Sequence, residues 1–176
     1  GGLTLKDVTV VNVPFANMIA ALKSGGVDFA HTSEPLSTVI ADAGVAVKWK
    51  PVSSYAPNGL TVAALHFGTS ILEKSPETGE RVLAAYIQGA RYYNDALKKP
   101  TGKAEMAEIL MKHTPVKNRA LYDRLTFSYA DPDAVISVDG MQDMANYYSK
   151  AGGFKPVDVR SLVDDSFRLA ALKRLG

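Results

Sequence analysis

Three polar clusters fall along the first third of this 176-residue chain, and each follows a short apolar run. Asn12 and Asn17 bracket the end of DVTVVNV and the proline after it. His31-Thr32-Ser33-Glu34 follows VDFA, and Ser53, Ser54, Tyr55 and Asn58 follow VAVKWKPV. Amides, hydroxyls and a phenol donate and accept hydrogen bonds without being strong nucleophiles. Gathered at one place, they would recognise a small polar solute rather than make or break its bonds. Covalent chemistry would need a constellation that the chain does not offer. His31, His66 and His113 lie on three different elements with no i, i+4 pair to hold a metal. His66 reads as a structural histidine in an apolar strand, and His113 as a cation favoured at a helix end. A glycine-rich phosphate loop, a G-x-S-x-G elbow and an H-E-x-x-H pair are all absent from the sequence. No catalytic residue, metal or cofactor is therefore expected.

Plainer roles compete for the same residues. Thr32 or Ser33 can serve as a helix N-cap, and Asn12 or Asn17 can close a strand–helix turn. Glu34, just before Pro35, suits the first turn of a helix as a dipole partner. Trp49 and Tyr55 can be packing or surface aromatics. Tyr92-Tyr93 and Tyr147-Tyr148 sit on amphipathic helices, where core or rim packing accounts for them. Asp131 with Asp133, and Asp164-Asp165, fit turn formation and helix capping.

The elements that position these clusters are legible as a pattern. Asp7–Val13, Val27–Ala30, Val45–Val52 and Leu60–Phe67 are short runs rich in β-branched or apolar residues, and they predict strands. Between them, Pro14 opens a helix with Phe15, Met18, Ile19 and Leu22 at helical spacing, ended by Gly25-Gly26. Glu34-Pro35 opens a second, carrying Leu36, Val39 and Ile40 and stopped by Gly44. After Gly68 helices dominate. They are expected over Thr69–Lys74, Pro76–Lys99, Ala104–His113, Val116–Leu125, Ser137–Ala151 and Leu162–Leu175, with Phe127–Asp133 as a loop. The long helix shows a stripe of Val82, Tyr86, Ala90, Tyr93 and Leu97, and the later Ser137–Ala151 helix carries Val138, Met141, Ala145 and Tyr148, read as facing inward. Strands alternating with helices predict a parallel α/β sheet, and the polar clusters would then collect beyond the strand ends, where ligands bind. Free N–H groups at two helix starts favour an anion there, whereas Glu34 facing the cleft would favour a cationic or amine-bearing ligand.

Composition narrows the classes. A hydrophobic content of 47%, a charged content of 22% and a formal net charge of +2 describe an ordinary globular chain with too little basic excess to argue for nucleic acid. The chain has no cysteine, which excludes disulfides, thiolate metal sites and cysteine nucleophiles. Leu60–Phe67, the longest apolar stretch, is too short to span a bilayer. The opening Gly1-Gly2-Leu3-Thr4-Leu5 enters a strand almost at once, like the middle of a protein, so an N-terminal portion is expected to be missing.

The segment GGLTLKDVTVVNVPFANMIAALKSGGVDFAHTSEP resembles the middle of ABC-transporter substrate-binding proteins of the nitrate/sulfonate/taurine and thiamine-pyrimidine-precursor type. Gly2-Leu3, Asp7-Val8, Ala21-Leu22, Gly25, Val27-Asp28 and Glu34-Pro35 carry the likeness, and Val163–Phe167 in the tail resembles the opening of that family's last helix. The resemblance implies a type II periplasmic-binding-protein fold, two α/β lobes that close on a ligand about a hinge. Residues 1–59 would be part of the second lobe, and residues 60–176 a hinge strand and C-terminal helices returning to the first. By the same resemblance Asn12, Asn17, Thr32, Ser33, Glu34, Ser54, Tyr55 and Asn58 face the cleft, and Ser128 and Tyr129 approach it from the other side. The implied role is the solute-binding component of an importer. It is non-catalytic and periplasmic or otherwise extracytoplasmic, with lipid anchoring as one form. Its partners would be a small-molecule ligand, an ABC-transporter permease and the missing N-terminal portion. Two other readings use this fold: a ligand-sensing domain of a signalling protein, and a pyrimidine-precursor synthase with pyridoxal phosphate on a lysine. The absence of cysteine weighs against the synthase, which carries a cysteine-rich segment.

Overall fold

A computed structural model describes residues 2–4, 6–51 and 61–176. Among these residues the regular elements are α-helices: α1 (Met18–Lys23), α2 (Leu36–Asp42), α3 (Thr69–Lys74), α4 (Pro76–Leu97), α5 (Gly102–His113), α6 (Arg119–Arg124), α7 (Val138–Lys150) and α8 (Ser166–Leu175). Two 3-10 turns, Phe15–Asn17 and Val159–Leu162, lead into helical segments. The backbone divides into two compact units, Gly1–Pro51 with Leu110–Phe127, and Val52–Ile109 with Ser128–Gly176.

The first unit holds α1, α2 and α6. α1 stops where Gly25 takes φ 70°, a conformation that costs a residue with a Cβ, and α2 stops in the same way at Gly44, φ 66°. Met18, Ile40, Leu121 and Tyr122 are the buried apolar residues of this unit. Tyr122 carries a polar tip inside, and it is satisfied: its hydroxyl donates to the Val116 carbonyl at 3.0 Å and lies 3.1 Å from the Thr114 hydroxyl. Arg124 forks onto Asp42 Oδ2 at 2.7 and 3.1 Å, tying α6 to α2.

The second unit is built on α4. Pro76 sits at its first position, where a missing N–H does no harm. Leu83, Ala84 and Ile87 pack against Ala171 of α8, with Phe167, Leu172 and Leu175 closing around them. Gly79 brings the chains close: a Cβ there would lie 2.8 Å from the Phe167 ring and 2.9 Å from Ile71. Gly102 is more constrained still, since its Cβ would fall 1.5 Å from the Ala96 carbonyl oxygen at the corner between α4 and α5. Phe67 leans on Phe167 with centroids 5.4 Å apart, and Arg174 of α8 forks onto Glu80 of α4 at 2.7 and 2.9 Å. α7 starts at Ser137, whose hydroxyl accepts from the Gly140 amide, while the Ser137 amide donates to the Thr61 hydroxyl at 2.8 Å.

Three expectations are corrected. First, the described residues of the four expected strands form no β-ladder. Val10 is 80% exposed and Val47 90%, and Val11, Phe29, Val62 and Leu65 are exposed as well. A strand is held by lateral pairing of its N–H and C=O groups, and among the described residues these runs have no strand beside them to pair with. Among the described residues the expected α/β architecture is thus represented by its helices. Second, the stripe read on α4 faces inward only in part: Ala90 is buried, but Val82 and Tyr86 are exposed, and Leu83 and Ile87 are buried in their place. Aliphatic residues pack closely on α8, whereas a tyrosine hydroxyl is better placed at a rim. Third, Tyr148 is exposed and forms an edge-to-face pair with Tyr147 at 5.5 Å, so only Ala145 of the α7 stripe is buried.

The α4–α8 contact makes a direct prediction. Ile87→Ala should lose about 2–5 kcal/mol from the cavity it leaves. Gly79→Ala should lose about 1–2 kcal/mol through collision with Phe167, although alanine is the better helix former. Urea unfolding midpoints measure both; a Gly79→Ala protein as stable as wild type would mean that α4 and α8 are not this close.

Candidate functional site

The predicted site residues fall in both units. Asn12, Asn17, Thr32, Ser33 and Glu34 belong to the first, and Ser128 and Tyr129 to the second. Ser54, Tyr55 and Asn58 lie outside the described residues.

In the first unit Asn12, Asn17 and Ser33 are exposed. Asn17 precedes α1 without using its side chain as a cap. The capping role expected of Thr32 or Ser33 falls to Glu34. Its Oε2 accepts from the Thr38 amide at 3.2 Å and the Thr38 hydroxyl at 2.7 Å, satisfying a free donor in the first turn of α2. Its Oε1 accepts from Lys48 Nζ at 2.6 Å and from the Thr126 amide at 3.3 Å. Lys48 also donates to the Thr38 hydroxyl, and Thr38 is buried. Burial pushes the Glu34 carboxyl up, but hydrogen bonds from Lys48, Thr38, Ser37 and the Thr126 amide outweigh it and hold the pKa at about 2. Glu34 is thus an ionised knot joining the start of α2, the Val45–Trp49 run and the end of α6. Phe29 and Trp49 meet edge to face with ring centroids 6.3 Å apart.

In the second unit Ser128 and Tyr129 are brought together in one groove of about 450 Å3, lined also by Tyr86, Gly89, Tyr93 and Met106. The segment carrying them is pinned to α4 three times. The Tyr93 hydroxyl donates to the Ser128 carbonyl at 2.6 Å, and Asn94 Nδ2 to the Ala130 carbonyl at 2.6 Å. Arg91 reaches Asp133 Oδ1 at 2.6 and 3.1 Å. Burial pushes the Tyr93 hydroxyl up, so it stays a neutral donor. Past the pins the chain turns sharply: Asp131 Oδ1 accepts from the amides of Asp133 and Val135, and Ala134 sits at φ 56°.

Sequence reasoning missed Lys48 and Thr38 as the partners of Glu34, and Tyr86, Gly89 and Met106 as groove residues. The i, i+3, i+4, i+7 spacing of residues 86, 89, 90 and 93 was visible, but tyrosines on a helical stripe read equally well as core. His66 is exposed rather than packed in an apolar strand. Among the described residues no group of three or more His, Cys, Asp and Glu could hold a metal ion, and no helix is long and apolar enough to cross a membrane.

The model of the NMT1-like family matches residues 1–111 of the chain. No curated protein and no solved structure matches it.

The Glu34 knot predicts a pH dependence. With a folded pKa of about 2 against an ordinary 4.5, the carboxylate adds stability that is complete above pH 4.5 and disappears as the pH falls towards 2. Glu34→Gln should cost about 1–2 kcal/mol at neutral pH and should flatten the stability profile across that acid window. Denaturant titrations at pH 2, 3, 4.5 and 7 read both effects; parallel profiles for the two proteins would show that the knot is not formed.

Proposed function

The chain belongs to the NMT1-like family, and on that premise we propose that it is the solute-binding component of an ABC importer. It holds a small polar or anionic organic molecule by hydrogen bonds and aromatic contact and returns it unchanged. The observation that carries this reading is where the family match lies. Residues 1–111 contain all three polar clusters that follow apolar runs, Asn12 with Asn17, Thr32 to Glu34, and Ser54 to Asn58. Exposed Asn12, Asn17 and Ser33 supply donors and acceptors that the chain does not consume in capping. Glu34 is already neutralised by Lys48, which removes the main argument for a cationic ligand and favours a polar or anionic one.

The same reading brings three further parts. A membrane permease receives the solute, and the protein works outside the cytoplasmic membrane, free in the periplasm or lipid-anchored. A further N-terminal portion of the polypeptide supplies strands. The exposed Val8, Val10, Val11 and Val47 support this last part, because β-branched runs of this kind gain stability when neighbouring strands cover them.

A thermal-shift series with taurine, nitrate, a hydroxymethylpyrimidine and benzoate tests the reading on the intact protein. A solute present at about 100 times its Kd adds about 2.7 kcal/mol to the folded state. That corresponds to roughly 5–10 °C in Tm for a protein of this size. Saturable stabilisation by one of these, with the solute recovered unaltered, is the expected outcome. Turnover of the solute, or no stabilisation by any member of the series, would overturn it.

A further inference from the structure

Tyr86, Gly89, Ala90 and Tyr93 stand at i, i+3, i+4 and i+7 of α4 and share one face of that helix. Rings mark the two ends of the stripe and the smallest residues its middle, so the face is notched. Met106 of α5 and Tyr129 complete the surround. Gly89 is the telling residue. A glycine inside a helix weakens it relative to alanine, and the usual justification is a close neighbour or a positive φ. At Gly79 and Gly102 an added Cβ would collide with the chain, but at Gly89 it would meet nothing within 4 Å. What Gly89 contributes is room.

The walls fix the chemistry of what fits there. None of the lining residues is charged, so a bare anion would find no cationic partner there. The Tyr93 hydroxyl is engaged by the Ser128 carbonyl, and three tyrosine rings and a methionine supply most of the remaining surface. The surface is also set in advance. The Ser128 and Ala130 carbonyls on either side of Tyr129 are both held by α4, while the Tyr129 side chain remains 75% exposed. A ring entering the notch would therefore meet a fixed backbone and an uncommitted aromatic face, with little ordering left to do. We propose that the notch over Gly89 binds an uncharged benzene-type ring of a small molecule, held between Tyr86 and Tyr129. This site lies within the second unit and does not depend on the importer reading.

The test uses p-cresol as probe, with saturation-transfer NMR on the intact protein and on three variants. Wild type should show saturable binding, unaffected by taurine or nitrate. Tyr129→Phe, which keeps the ring, should bind within about twofold of wild type. Tyr129→Ala and Gly89→Leu should each weaken binding at least tenfold. Leucine fills the open space above position 89 and is the better helix former, so the Tm of Gly89→Leu should equal or exceed that of wild type, separating a blocked site from a damaged fold. Absence of saturable p-cresol binding by wild type, or undiminished binding by Gly89→Leu, would overturn the proposal. Stabilisation of Gly89→Leu by a polar solute as in wild type, together with lost p-cresol binding, would support both this site and the importer reading as separate properties.

Discussion

The packing of α8 onto α4 decides how every other face of the second unit is used. Leu83, Ala84 and Ile87 go inward because Ala171 and its neighbours offer a surface of matching relief, and Gly79 lets the two helices approach. A helix has one circumference. Once that arc is buried, the arc carrying Tyr86 and Tyr93 turns away from α8, and the segment from Ser128 to Asp133 is laid against it by three side-chain anchors. The groove is therefore a by-product of core packing, and its rigidity comes from hydrogen bonds to carbonyls rather than from burial.

The first unit depends on charge where the second depends on close packing. Its buried apolar set is small, and Glu34 collects donors from three separate segments. The carboxylate is only 19% exposed, so desolvation opposes it. Four short-range donors reverse that opposition and leave an ion that strengthens the frame. This is why a residue that looks like a ligand group in the sequence is better understood as an internal fastening.

Several helix limits were legible in the sequence because their causes are local, although α6 and α8 begin later than the expected Val116 and Leu162. Gly25 and Gly44 end helices through their own dihedral freedom, Pro76 begins one, and Ser137 caps one. The strands were not, since β-structure exists only when a second segment supplies the other half of each hydrogen bond, and VTVVNV cannot state whether it has one. The inward arc of α4 was misread for a related reason. Two apolar stripes run along that helix, and the choice between them is made by α8, about 90 residues downstream. Of the candidate site, Ser128 and Tyr129 line one groove as chain neighbours, whereas two partners of Glu34, Lys48 and Thr126, lie 14 and 92 residues away and had no local signature.

The exposed valines carry a consequence for how the molecule reaches and keeps its state. Val8, Val10 and Val11 stand in sequence with open side chains, and such β-prone stretches associate with one another when they meet uncovered. Aggregation competes with correct covering, and it grows with protein concentration while intramolecular covering does not. The yield of soluble material is then governed by timing, by how soon after synthesis those residues find their proper neighbours, more than by the depth of the final energy minimum.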